Sequence, residues 1–225
     1  MDYDIGVWNW LTQTNTGLAV RITAGVVIFA SLAIVDFRKN GAHATRWREY
    51  LFLLLCVAVA MVYGIINDLI TSSISWEYFY YGKGLSETLG DPPPDPLKLH
   101  LAATVVGMKA TWTAGLLIGA VLLIANNPSR NRRSLPFTFL FRMLVLIGIL
   151  TVLTAAVLGL IGSFGWLAHF SDDFTAMLRR DEMRPHRFIA VFGIHFGGYV
   201  GGLVGLIAAV LSIRKVRSKD FEPRP

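Results

Sequence analysis

The chain is built of long apolar blocks separated by short polar connections. Five blocks, at about 17–37, 50–71, 99–125, 136–161 and 187–213, each run for the roughly 20 residues that a hydrocarbon core demands. A backbone crossing lipid must satisfy its own hydrogen bonds, so the pattern predicts an all-α, polytopic bundle of five transmembrane helices forming one domain over 1–225. Three connecting segments are basic: Arg38, Lys39, Arg46 and Arg48 after the first block, Arg130, Arg132 and Arg133 after the third, and Arg214, Lys215, Arg217 and Lys219 after the fifth. The second connection is acidic and the fourth mixed. The positive-inside rule then predicts an outer N-terminus, a cytoplasmic C-terminus, and outward-facing second and fourth connections. The opening MDYDIGVWNW is acidic and aromatic with no basic region, so the first helix is expected to be retained rather than cleaved.

The two outward connections are the long ones. The second carries Trp76, Tyr78, Phe79, Tyr80 and Tyr81, then a proline cluster at 92–96 that predicts a stiff bend. The fourth predicts a short amphipathic helix from near Ser171, with Phe174, Met177 and Leu178 on one side, lying in the interface plane. Within the blocks, small residues recur every four positions: Gly107, Thr111, Gly115 and Gly119 in the third, Gly193, Gly197, Gly201 and Gly205 in the fifth. Such ridges let transmembrane backbones approach closely, and the expectation is that the third and fifth helices pack on each other. At a shift of 86, HLAATVVGMKATWTAGLLIG and HRFIAVFGIHFGGYVGGLVG also align, which suggests a parallel repeat of two helices each; chance likeness of two Gly/Val/Leu-rich spans is the alternative.

Composition adds exclusions. Hydrophobic residues are 54% and charged residues 16% of 225, which fits a membrane protein, and the net charge of +6 is accounted for by the basic connections rather than by a nucleic-acid surface. Cys56 is the single cysteine, so neither an internal disulfide nor a Cys-rich metal site can form. No Gly-rich phosphate loop, CxxC, HExxH or Ser-His-Asp order is present.

The candidate chemistry lies between Asn67 and Lys109, and again at 182–195. A lysine inside a span costs roughly 2.5–3.5 kcal/mol on insertion scales, so Lys109 requires a partner or a wet cavity. Asp68 is the partner expected, with Asn67 and His195 nearby, in one polar pocket opening outward beneath Trp76–Tyr81; the bland reading of Asp68–Lys109 is a staple between two helices. Catalytic roles are assigned to Asp68, Glu77, Lys109 and His195, with Glu77 or Asp68 as base. A second, shallower set, His100, His186, Glu77 and Glu182, joined by His169, Asp172 and Asp173, offers imidazole and carboxylate ligands for a divalent transition metal such as zinc, iron or copper. His100 and His186 are expected to meet at the outer mouth; solvated surface histidines are the alternative.

The segments ITSSISWEYF, ATWTAGLLIG and IHFGGYVGGLVG resemble a family of bacterial inner-membrane proteins of unassigned function, in which a polar pair after the second helix leads into an IS-P-EYF-like run. Trp76 replaces the proline of that run, and Asn67-Asp68 stands where His-Asp is usual. The resemblance implies the bacterial cytoplasmic membrane and weight on Asp68, Glu77 and His195, with no activity attached. Three functional expectations follow: a metal-dependent or acid–base enzyme acting on a lipid or small molecule; a carrier or accessory subunit with membrane-protein partners; and a haem b protein using two of His100, His186 and His195.

Overall fold

The computed structural model describes residues 14–128, 134–170 and 183–219. All regular structure among them is helical, and five helices are long and apolar enough to cross a membrane. They are α1 (Asn15–Asn40), α2 (Trp47–Ile74), α3 (Pro96–Ala125), α4 (Phe137–Ser163) and α5 (Pro185–Lys219). Each ends within a few residues of its apolar block, and α1 and α3 open on polar side-chain caps. Thr14 accepts from the Gly17 amide to open α1 at 2.9 Å. Asp95 accepts from the Lys98 amide at 2.9 Å, and Pro96, whose missing N–H costs nothing in a first turn, is the first residue of α3. The expected proline bend therefore ends one residue earlier than its composition suggests, with the last proline inside the helix. The interfacial helix expected from Ser171 lies outside the described residues, as do Asp172, Asp173 and Glu182.

Packing overturns one expectation. The glycine ridges of α3 and α5 do not seat on each other; each seats on the helix before it in the chain. A Cβ on Gly115 would fall 2.6 Å from the Cys56 carbonyl oxygen of α2 and 2.8 Å from Ala60 Cβ, and one on Gly107 would run into the Gly64 carbonyl. A Cβ on Gly197 would fall 2.6 Å from the Thr154 carbonyl oxygen of α4, and one on Gly201 the same distance from that of Leu150. Helices consecutive in the chain are antiparallel neighbours even across these long connections, and a small-residue ridge brings backbones together wherever such a neighbour is near. The result is two tight hairpins, α2–α3 and α4–α5, each with its second helix carrying the ridge. That is the arrangement a two-helix repeat requires, although α3 and α5 touch each other only lightly.

The hairpins join at their two ends. At one end Tyr78, Phe79, Leu99, Ala103, Phe188, Ile189 and Val191 form a buried cluster that includes the aromatic connection; at the other, Phe52, Cys56, Leu122, Leu140, Leu144, Ile147, Ala209 and Ile213 form a second. These are called the aromatic end and the basic end below. Arg217 locks the basic end by donating to the carbonyls of Ala125 and Asn127, both at 2.7 Å, while Asn126 bridges to the amide and carbonyl of Leu135. Helix α1 stands apart, packed mainly on α2 through contacts such as the stacked Phe29 and Tyr50 rings, with Arg21 reaching Trp112 of α3. Between the two clusters the hairpins diverge.

Candidate functional site

The gap between the hairpins is a cavity of about 280 Å³ lined by α2, α3, α4 and α5. Most of its wall is apolar, with Val59, Ala60, Ala114, Ile118, Leu144 and Leu206 among the lining residues. Helical spacing supplies it: with the ridge Gly193, Gly197 and Gly201 turned to α4, the opposite face of α5 presents His195, Gly198, Tyr199 and Gly202 to the first hairpin. Ala114, Leu117, Tyr199 and Leu203 are cavity residues that are also exposed, so the cavity opens sideways, towards the bilayer.

Its polar groups gather near the aromatic end. Asp68 is 3% exposed, and its Oδ1 lies 3.7 Å from His195 Nε2 and 3.1 Å from the donating Asn67 Nδ2. Thr71, one turn on along α2, has its Oγ1 3.3 Å from the same His195 nitrogen. That hydroxyl spends its own proton on the Asn67 carbonyl at 2.8 Å, so it can only accept from the ring. His195 therefore carries its proton on Nε2, held between Thr71 and Asp68, and Nδ1 keeps a free lone pair. Tyr78 stacks flat on the imidazole at 4.8 Å, and Phe79 meets it edge-on at 5.9 Å. The aromatic connection thus roofs the cluster, as expected, through a π-helical turn at Tyr78–Gly82 that brings Tyr78, Phe79 and Tyr80 inward together.

Two residues that the spacing argument did not single out belong here. Lys83 places its ammonium 5.4 Å from the centre of the Tyr78 ring. The residue as a whole is exposed, but its charged end faces the site: lost hydration pushes its pKa down, and the Asp68 charge pulls it back up. Tyr63 lines the cavity and comes close enough to α5 that a Cβ on Gly198 would sit 3.0 Å from its hydroxyl. Burial pushes the Tyr78 phenol above its ordinary pKa, so it stays protonated.

Lys109 is not brought into this pocket. It sits on the side of α3 turned from α2, where Arg21 of α1 is its charged neighbour and Arg21 in turn lies 5.2 Å from the centre of the Trp112 ring. The half-turn offset from the glycine ridge was legible; the identity of the helix across from it was not. The cation facing Asp68 is Lys83 instead.

The shallower set is also dispersed. Glu77 is 1% exposed: its Oε2 accepts from the Ser75 hydroxyl at 2.6 Å, and its Oε1 accepts from the Arg184 amide at 3.3 Å, just ahead of Pro185. It closes the start of α5 from the far hairpin, where a carboxylate is favoured by unpaired amides and the helix dipole. His100 Nδ1 lies 2.8 Å from the Ser72 hydroxyl, whose proton goes to the Leu69 carbonyl. His186 is exposed, beside Gly165, and His169 is exposed in the turn Ala168–Phe170. Among the described residues no three His, Cys, Asp or Glu side chains gather closely enough to hold a metal ion. The expected meeting of His100 with His186 does not occur: His100 is turned to Ser72 of α2, and His186 lies beside Gly165, just after α4.

These features define a multi-pass helical membrane protein with a polar cluster at one end of an intramembrane cavity. Comparison with protein-family models, curated proteins and solved structures finds no match for the chain.

Proposed function

We propose that this protein takes a lipid-soluble molecule from the bilayer into the cavity between its hairpins and performs acid–base chemistry on that molecule's polar end with His195 and Asp68. The observation that carries the reading is the placement of the Asp68–Asn67–Thr71–His195 cluster at one end of an apolar cavity whose other walls open towards lipid. A water-soluble substrate has no reason to use that opening; a molecule with an apolar body and one polar group fits it. His195 Nδ1 is the base. It accepts a proton from an activated C–H of the bound molecule, Asp68 stabilises the resulting imidazolium across Nε2, and the same proton is returned to a different atom of that molecule, so a double bond migrates in an isomerisation that needs no co-reactant. Asn67 fixes the carboxylate, Tyr78 and Phe79 keep the ring oriented and dry, and Tyr63 offers a hydroxyl to a second polar atom. The transition-metal reading draws no support from the positions of His100, His186 and Glu77, and the haem reading draws none from an imidazole already held by Thr71, Asp68 and Tyr78.

The site belongs, in this reading, to the outer half of a bacterial cytoplasmic membrane, since the basic segments lie at the opposite end. A C-terminal reporter active only in the cytoplasm is the expected result for that orientation.

The binding test is chemical extraction of the purified protein followed by mass spectrometry of the lipid fraction. Wild type should carry one lipophile near stoichiometry. Ala114→Trp, which fills the cavity from its lipid-facing side away from the cluster, should lose it, and Asp68→Asn should keep it unconverted. A wild type without any lipophile, or an Ala114→Trp variant carrying as much as wild type, refutes the proposal.

A further inference from the structure

A second cavity, independent of the first, opens at the aromatic end between the α2–α3 connection and the starts of α3 and α5. It measures about 630 Å³, and its lining includes Ser72, Trp76, Glu77, Asp95, His100, Arg184 and Arg187. The two arginines distinguish it. Both are exposed, and neither guanidinium makes a hydrogen bond or ion pair with the described residues. Of the carboxylates on the same wall, both Glu77 oxygens accept hydrogen bonds and the group is buried, while Asp95 uses Oδ1 on the Lys98 amide to cap α3. The open hydrogen-bonding capacity of the cleft is therefore mainly cationic donors. His100, whose Nδ1 is held on Ser72, lines the same wall.

We propose that this cleft binds the phosphate of a membrane lipid headgroup, with Arg184 and Arg187 as its ligands and His100 beside them. Planar guanidinium forks match phosphate oxygens in pairs, which is why arginine is favoured for that group. The lipid source follows from position: the cleft lies at the ends of α2, α3 and α5, next to Trp76, at the level where an amphipathic aromatic ring marks the boundary between hydrocarbon and headgroups. A phosphate held there has its acyl chains in the bilayer.

The test uses full-length protein in a non-ionic detergent, stripped of lipid and titrated with dioctanoyl phosphatidylglycerol, dioctanoylglycerol or inorganic phosphate, with bound species counted by native mass spectrometry. Phosphatidylglycerol should bind one to one at this site, and inorganic phosphate should bind far more weakly. The Arg184→Gln/Arg187→Gln pair should weaken phosphatidylglycerol by about tenfold or more, the loss expected for removing charge-assisted hydrogen bonds. Dioctanoylglycerol, lacking the phosphate, should be indifferent to the pair, and Arg214→Gln/Lys215→Gln at the basic end should leave phosphatidylglycerol binding unchanged. Both arginines are exposed, so the paired variant is expected to fold, and its elution as a single sharp species confirms that. Unchanged phosphatidylglycerol affinity in the paired variant overturns the site. Inorganic phosphate binding as tightly as the lipid overturns the lipid assignment.

Discussion

Gly107→Ala probes one of the tightest backbone approaches among the described residues and the site at the same time. The added methyl would collide with the Gly64 carbonyl and stand 3.1 Å from Asp68 Cγ, so its two neighbours are backbone and a buried carboxylate. Neither can swing aside as a flexible side chain would, and α2 and α3 must separate. Overpacking costs about 1–3 kcal/mol, and a backbone neighbour places this case near the top of that range. Replacing a mid-helix glycine returns about 0.5–1 kcal/mol of helix propensity. The expected net loss is about 2 kcal/mol, on the order of a thirtyfold shift in the folding equilibrium. Gly25→Ala is the matched control, because nothing lies within 4 Å of a Cβ there and only the propensity gain applies. Both variants can be compared in lipid-like detergent by steric trapping, or by reversible unfolding in increasing fractions of denaturing detergent. Gly107→Ala should be clearly weaker than wild type, and Gly25→Ala equal or slightly stronger. A Gly107→Ala protein as stable as the control would falsify the α2–α3 contact and with it the placement of Asp68.

Two further perturbations address the cluster and its frame. Glu77→Gln keeps shape but removes the charge at the start of α5, and a loss of about 1–3 kcal/mol is expected for a charged hydrogen-bond acceptor; hydrogen exchange should accelerate at residues 184–188 and stay unchanged at the basic end, whereas uniform exchange would contradict the capping role. Asp68→Leu and His195→Phe should each destabilise by leaving the other group short of a partner, and the double variant should recover part of the loss, with a coupling of about 0.5–3 kcal/mol between residues in contact; strictly additive losses would show that the two do not interact.

The five spans were legible because twenty apolar residues between charged segments leave the backbone no other solution in lipid. Asp68, His195 and the aromatic roof were legible for a related reason: polar groups inside apolar blocks are few, and those at matching depth have few partners to choose from. Partner identity among helices was not legible. The ridge of α3 fits any close backbone, and nothing in Gly107, Thr111, Gly115 and Gly119 says whether α2 or α5 will supply it; that error carried Lys109 into the pocket and His100 towards His186. The hydroxyls were the missed signal. Thr71, Ser72 and Ser75 sit in a run that reads as a polar helix end, yet each binds a group named as functional: Thr71 holds His195, Ser72 holds His100, and Ser75 holds Glu77. Lys83 was overlooked because a lysine in an exposed connection ordinarily needs no partner.

Thr71 and Ser72 are consecutive, so on a helix they point about 100° apart. One is bonded to a histidine of α5 and the other to a histidine of α3. The final turn of α2 is thus a two-pronged key, one prong on the histidine that lines the intramembrane cavity and one in the second cleft. A twist of that turn about its own axis cannot disengage one prong and leave the other seated, and a ligand that tightens either histidine bond holds the turn in register for both.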